Sequence, residues 1–541
     1  MVAEAQSDAT RVDRRTVLTG AAAAAGAALL PQPATAQSPR RGGTLRVAIP
    51  FNPGAIEPMT GRNLPDFNVL YAVFDNLIDF DPLTLDLKPG LATAWRWTTS
   101  TTLVLDLVDG VSFHDGSPFN ADAVRFNLER YKNDPRSNVK ADVSTLERVE
   151  VNAPNQVTLH LNRPNAGLPT ILTNRAGCMV SPKSIAEKGP NVDRYPVGSG
   201  PFRFVEWQDN ASIKLTRNDN YWKKDQPYLD GLEFHIINEL NVLTRSVIAG
   251  EADLGINLQV PQKLIADRAG SVIAEAAPSL IFFGVYFNYS RPPLSDVRIR
   301  QALNYALDRD AIVRVLMAGI GEPSSTILPK EHWAQDPATA NYYNHDIDKA
   351  KKLLAEAGYP NGIDIDAFGW ADQVAMQRQE LIISQWAQAG IRIKLTPVAP
   401  QTAIQLFMLE KKGAMFISPA GGFPDPSQYY EVLFGKDALR NAGKVELPGF
   451  RELLDATMEV DDRGAQGCLR QAATLCGRAG AAGAAIRHVR GHGAQQTGAQ
   501  LCGRSADHAQ VPPGVAGNRL GLMIAFVTSR SWQPRSPVPI S

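Results

Sequence analysis

His114 and Asp115 stand side by side and could, by type, serve as an acid–base couple. No third group that would orient them is identifiable, so the pair reads as structural rather than catalytic. Cys468, Cys476, His488 and His492 carry metal-ligand side chains, and the two histidines could share one helical face. The seven residues between the cysteines exceed the two to four of a usual zinc hairpin, and no strand–turn pattern holds them. Cys178 lies among apolar residues and reads as a buried thiol. Four cysteines of which three crowd the C-terminus define no disulfide framework. The chain has no G-x-S-x-G elbow, no H-E-x-x-H and no Walker A sequence. The expectation is a protein without catalytic residues, metal or cofactor.

Whatever binds here must be positioned by a large scaffold. The chain has 541 residues, 44% of them hydrophobic, too many for one core and enough for two or more lobes. Fifty-five basic residues balance 55 acidic ones, and no basic stripe points to nucleic acid. No internal stretch of 18 apolar residues suggests a membrane span. At the N-terminus, Arg14 and Arg15 precede an Ala-rich apolar run to Leu30. Ala34 and Ala36 then offer small residues at −3 and −1 for cleavage before Gln37. The paired arginines suggest the twin-arginine export route. No Cys follows the cleavage site, so a soluble periplasmic protein is expected.

The mature chain opens on a strand at Gly42 to Pro50, and a helix capped by Asn120 follows over 120–131. The alternation of Val149, Val151, Val157, Leu159 and Leu161 predicts a half-exposed strand. Further strands are expected at 212–215, 232–237, 280–287 and 391–395, and helices at 241–249, 346–357 and 375–389. The last two helices end at Gly358 and Gly390. Pro292 and Pro293 stop the strand at 280–287. Ser295 or Asp296 can cap a helix whose apolar face is Ile299, Leu303, Ala306 and Leu307. Strands and helices alternate through the second half, the mark of an α/β fold.

The wording of several segments carries more. Pro89-Gly-Leu-Ala-x-x-Trp95, Gly110-Val-Ser-Phe-His-Asp-Gly116-Ser-Pro-Phe-Asn-Ala-Asp122-Ala-Val124, Gly198-Ser-Gly-Pro-Phe202 and Arg217-Asn-Asp-Asn-Tyr-Trp222 occur in that order. The run from Phe287 to Arg309, Gly358-Tyr-Pro-Asn-Gly362 and Asp425-Pro426 continue the series. Together they resemble family 5 extracellular solute-binding proteins, the peptide, opine and nickel binders of ABC importers. The resemblance runs from about Gly42 to about Asp462.

It implies a two-lobed periplasmic-binding-protein clamshell of α/β class with an extra subdomain in lobe one (class II, like peptide-binding proteins). After a signal peptide at 1–36, lobe one would be 37–85 and 198–275, the extra subdomain 86–197, and lobe two 280–463. By position in similar proteins, three segments should end strands at the ligand cleft: Phe51-Asn52, Phe368-Gly-Trp370 and Pro419-Ala420-Gly421-Gly422-Phe423-Pro-Asp425. Aromatics there could stack on a ligand, though Phe51 and Trp370 could equally be core. Asp425 reads first as a cap before Pro426. Dipeptide-binding relatives carry an acid three residues before the Asp-Pro, facing the peptide amine; here that residue is Gly422. An opine, a modified peptide, a sugar conjugate or a metal chelate is therefore as open as a plain peptide.

The implied function is periplasmic capture of a peptide-like or other small polar solute, as a monomer, and delivery to the permease subunits of an ABC importer. The alternatives are a ligand-sensing adaptor for a membrane receptor and a secreted hydrolase. The last segment departs from the resemblance. Beyond Arg463 only Asp507 is acidic, no Lys follows Lys444, and Gly and Ala dominate 464–503. The break suggests a shifted reading frame, with 464–541 an atypical tail that buries little and is poorly ordered.

Overall fold

The computed structural model describes residues 41–480, except 62–63, 82–85, 277–281, 329–331, 333, 340–341, 421–424, 437, 439 and 459–461, together with 485–488 and 499–503. The signal residues Arg14, Arg15, Ala34 and Ala36 lie outside these.

Two mixed sheets build the lobes of an α/β clamshell. In lobe one the opening strand Thr44–Ile49 runs parallel to both Gly231–Ile236 and Leu254–Leu258, and Ser212–Arg217 and Phe202–Gln208 extend that sheet by antiparallel pairing. In lobe two Ile363–Trp370 runs parallel to both Ile391–Val398 and Met415–Ala420, and Phe282–Phe287 lies antiparallel to Met415–Ala420. A third, four-stranded antiparallel sheet (Ala92–Thr99, Thr102–Leu107, Gln156–Leu161, Leu146–Ala153) with helix Ala121–Asn133 forms the extra subdomain on its own apolar core.

Local signals place most of these elements. Asn120 caps its helix by accepting from Ala123 N (3.0 Å), Asp296 caps Val297–Tyr305, and Asp346 caps Ile347–Glu356. Ile299, Leu303, Ala306 and Leu307 are all buried. One expectation is corrected. The alternating run 149–161 is two strands, Leu146–Ala153 and Gln156–Leu161, because Pro154-Asn155 turns the chain; Val151 pairs with Val157 across the hairpin.

The motifs meet at a buried acid that local patterning does not reveal. Asp75 accepts from Ser199 Oγ (2.9 Å), Tyr221 OH (3.0 Å) and Trp222 Nε1 (2.8 Å), and no part of it is exposed. Gly198 and Gly200 lie flat on the end of helix Leu64–Val73. A Cβ on either would come within 2.2 Å or 2.6 Å of the Val73 carbonyl oxygen. Nearby, Arg130 and Glu57 form a buried ion pair at 2.7 Å, which fastens the subdomain helix to the loop after the opening strand.

Part of the atypical tail lies among the described residues. Helix Asp462–Arg478 packs against lobe two through Leu469, Ala472, Ala473 and Cys476, spaced three, one and three residues apart on one face. Small side chains let helices approach closely, so Ala-rich sequence still builds an interface. Ala485–His488 pairs with Phe282–Phe287 and Gly321–Ser324, and Ala499–Gly503 pairs with Leu254–Leu258 and Val272–Ala276. Strand pairing is a backbone interaction and does not require bulky side chains. Residues 504–541 lie outside the described part. His488 has only its backbone described and His492 lies outside, so no geometry is assigned to the Cys–His spacing.

Candidate ligand-binding cleft

The strand ends expected at the cleft behave differently from one another. Phe51, just past Thr44–Ile49, is 53% exposed, unusual for so large a ring and inconsistent with a core role. Asn52 is committed inside lobe one. Its Nδ2 donates to Pro53 O (3.1 Å) and Asp209 Oδ1 (3.2 Å), while its Oδ1 accepts from Trp207 Nε1 (3.3 Å) and Asn210 N (3.1 Å). That amide pins the turn between two neighbouring strands and has no hydrogen left to donate.

In lobe two, Phe368 is half-buried against the core, its ring 2.7 Å from where a Cβ on Gly413 would stand. Trp370 ends its strand half-buried, with its indole N–H enclosed and without an acceptor among the described residues. Its carbonyl accepts from Gln379 Nε2 (2.8 Å). Pro419 lies opposite Phe283, and Ala420 opposite Phe282. Gly421, Gly422 and Phe423 lie outside the described residues. Asp425 is buried and caps helix Pro426–Phe434, accepting from Gln428 N (2.9 Å) and Ser427 Oγ.

Around these ends the subdomain and lobe two touch. Gln428 Nε2 donates to Asp142 Oδ1 (3.0 Å), and Ala166 N donates to Met458 O (3.1 Å). A Cβ on Gly167 would stand 2.4 Å from Asp425 Oδ2. Burial pushes the Asp142 carboxyl up, against the pull of Arg175 and Gln428. Sequence reasoning missed Asp142 and Gln428, because a contact across 286 residues leaves no periodic trace. It also missed Arg378. There a signal existed: a cation on the face of helix Gln373–Gln388 that buries Ala375, Ile382 and Trp386.

The acid–base candidate is structural. His114 Nε2–H donates to Gly200 O (2.9 Å), and Asp115 accepts from Ser117 and Ser181 to close the turn. Burial, helped by Arg203 and opposed by the bond to Gly200, pushes the imidazole from 6.5 down to about 4. A depressed histidine contributes stability that is full above the unfolded value and is lost as pH falls through about 4. The contribution is at most roughly 3 kcal/mol, less any solvent screening. Urea denaturation of wild type and His114→Gln between pH 7 and 4 should show the wild type losing more stability; parallel curves would refute this.

Cys178 is fully buried and its thiol donates to Asn76 Oδ1 (2.8 Å), and burial raises its pKa well above the usual thiol range. Among the described residues no group of three or more His, Cys, Asp or Glu could hold a metal ion. No described helix is long and apolar enough to cross a membrane.

Comparison with known proteins adds the following. Residues 86–441, more than half the chain, match the profile of "Bacterial extracellular solute-binding proteins, family 5 Middle". The glutathione-binding protein GsiB of Pectobacterium atrosepticum is 29% identical over 356 residues, which cover 63% of this chain and 66% of that relative. The fold resembles a dipeptide binding protein of Pseudoalteromonas sp. SM9913 in complex with Met-Leu. There the TM-score is 0.73 and identity 22%, over 85% of this chain and 96% of the other. It equally resembles AgaA of A. tumefaciens R10 in complex with agropinic acid, with TM-score 0.73 and identity 22%, over 85% and 93% of the two chains.

Proposed function

The chain belongs to the bacterial extracellular solute-binding proteins of family 5, and on that premise we propose that it captures a small polar, peptide-like solute between its lobes for an ABC importer. One observation carries the reading. Strand ends with an exposed Phe51 and a Trp370 indole that has no acceptor among the described residues belong to two lobes, and the subdomain already touches lobe two through Asp142 and Gln428. Such a cleft works by preferring ligand in its closed state, not by bond chemistry. Export by the twin-arginine route, a periplasmic location and action as a monomer complete the proposal. The jump in composition at Arg463 is read as a shifted frame.

The test is a thermal-shift screen of glutathione, dipeptides, opines, sugar conjugates and metal chelates. A ligand of the folded state at a hundred times its Kd adds about 2.7 kcal/mol, so Tm should rise by roughly 2–3 °C for a chain of this size. Hydrolysis of any of these compounds would favour an enzyme and sink the proposal.

A further inference from the structure

Arg378 projects from helix Gln373–Gln388, half-buried, and its guanidinium carbon lies 3.4 Å from the centroid of the Phe283 ring. It has no hydrogen bond or ion pair among the described residues. Two other buried arginines of this lobe are hydrogen-bonded: Arg300 donates to Leu294 O, Ser295 O and Ala479 O, and Arg309 to Asn304 and Tyr343 O. Burial lowers the Arg378 pKa to about 10, and only the distant pull of Asp372 opposes this.

The position matters as much as the isolation. Phe283 lies opposite Pro419, at the carboxyl ends of the parallel strands Ile363–Trp370 and Met415–Ala420. In open α/β sheets that edge is where ligands sit. Two acids close this edge in sequence, and both are spent on caps. Asp372 accepts from Ala375 N (2.9 Å), and Asp425 from Gln428 N (2.9 Å). The same strand end holds the Trp370 indole N–H without an acceptor among the described residues. The edge therefore offers donors and positive charge, with its nearby carboxylates already engaged. The residue that would face a ligand amine in dipeptide binders is Gly422, which carries no charge.

We infer that Arg378, held flat by Phe283, anchors a carboxylate of the bound solute and sets the preference of the cleft for anionic over neutral ligands. Guanidinium is suited to this, since its planar fork matches a carboxylate and tolerates stacking on a ring. The inference rests on the proposed capture of a solute in this cleft.

Calorimetric titration tests it with glutathione, alanyl-alanine and octopine, each beside its fully amidated form, on wild type, Arg378→Gln and Arg378→Lys. At least one free acid should bind wild type roughly ten- to a hundredfold more tightly than its amide, the range of a lost charged hydrogen bond. Arg378→Gln should erase that preference and Arg378→Lys keep part of it. Unliganded Arg378→Gln should melt no lower than wild type, since it removes an unpaired, half-buried charge. Equal binding of acids and amides, or a preference that survives in Arg378→Gln, overturns the inference. So does failure of all three acids when a carboxylate-free sugar or chelate raises Tm, an outcome that leaves solute capture standing. If no compound binds at all, both fail.

Discussion

Asp75→Ala should remove on the order of 4–6 kcal/mol, enough to unfold a protein whose total stability is about 5–15 kcal/mol. The side chain is fully buried and takes three donors, Ser199 Oγ, Tyr221 OH and Trp222 Nε1. Each donor left without a partner costs roughly 1–3 kcal/mol, and Ala fills none of the space. The effect should be felt in lobe one as a whole, because the hub joins the end of helix Leu64–Val73 to two segments more than 120 residues away. Asp75→Asn keeps the shape and one acceptor oxygen and should cost less than half as much. Urea unfolding of the three proteins decides: an alanine variant within about 1 kcal/mol of wild type would show that water or rearrangement satisfies the donors.

Glu57→Ala should be the second large loss, about 3–5 kcal/mol, because it strands Arg130 in a site where its side chain is 8% exposed. Glu57 also accepts from Thr60 N (2.9 Å) and Thr60 Oγ1 (3.2 Å), so the substitution frees a backbone donor as well. The informative comparison is the double variant Glu57→Leu/Arg130→Met. A buried pair replaced on both sides by apolar residues of similar volume is near neutral, whereas removing one partner leaves a naked charge. The double variant should therefore be more stable than Glu57→Ala by at least 2 kcal/mol. A double variant as unstable as the single one would place the cost in lost packing rather than in the stranded guanidinium.

Much of the scaffold was legible in the amino-acid sequence because its causes are local. An Asn or Asp before an apolar run caps a helix wherever it occurs, as Asn120, Asp296, Asp346 and Asp425 do here. Apolar spacing likewise marks a buried face within one element, as Ile299, Leu303 and Leu307 show. Ordered motifs from Pro89 to Pro426 identified the family, yet gave no reason for their own residues. Tertiary structure supplied it: Ser199, Tyr221 and Trp222 are required together because all three bond one buried acid. Local periodicity also failed at 149–161, where a two-residue turn preserves the alternation across a hairpin. At 462–478 the composition is atypical, yet Leu469, Ala472, Ala473 and Cys476 form a packed stripe at helical spacing. The cleft depended most on the fold. Position along the chain led to Phe51, Asn52 and Trp370, but only the folded arrangement showed that Asn52 is spent on a turn while the Trp370 indole and Arg378 have no hydrogen-bond partner among the described residues. Whether a polar group is free depends on what the rest of the chain brings within about 3 Å of it, and spacing in sequence carries no record of that.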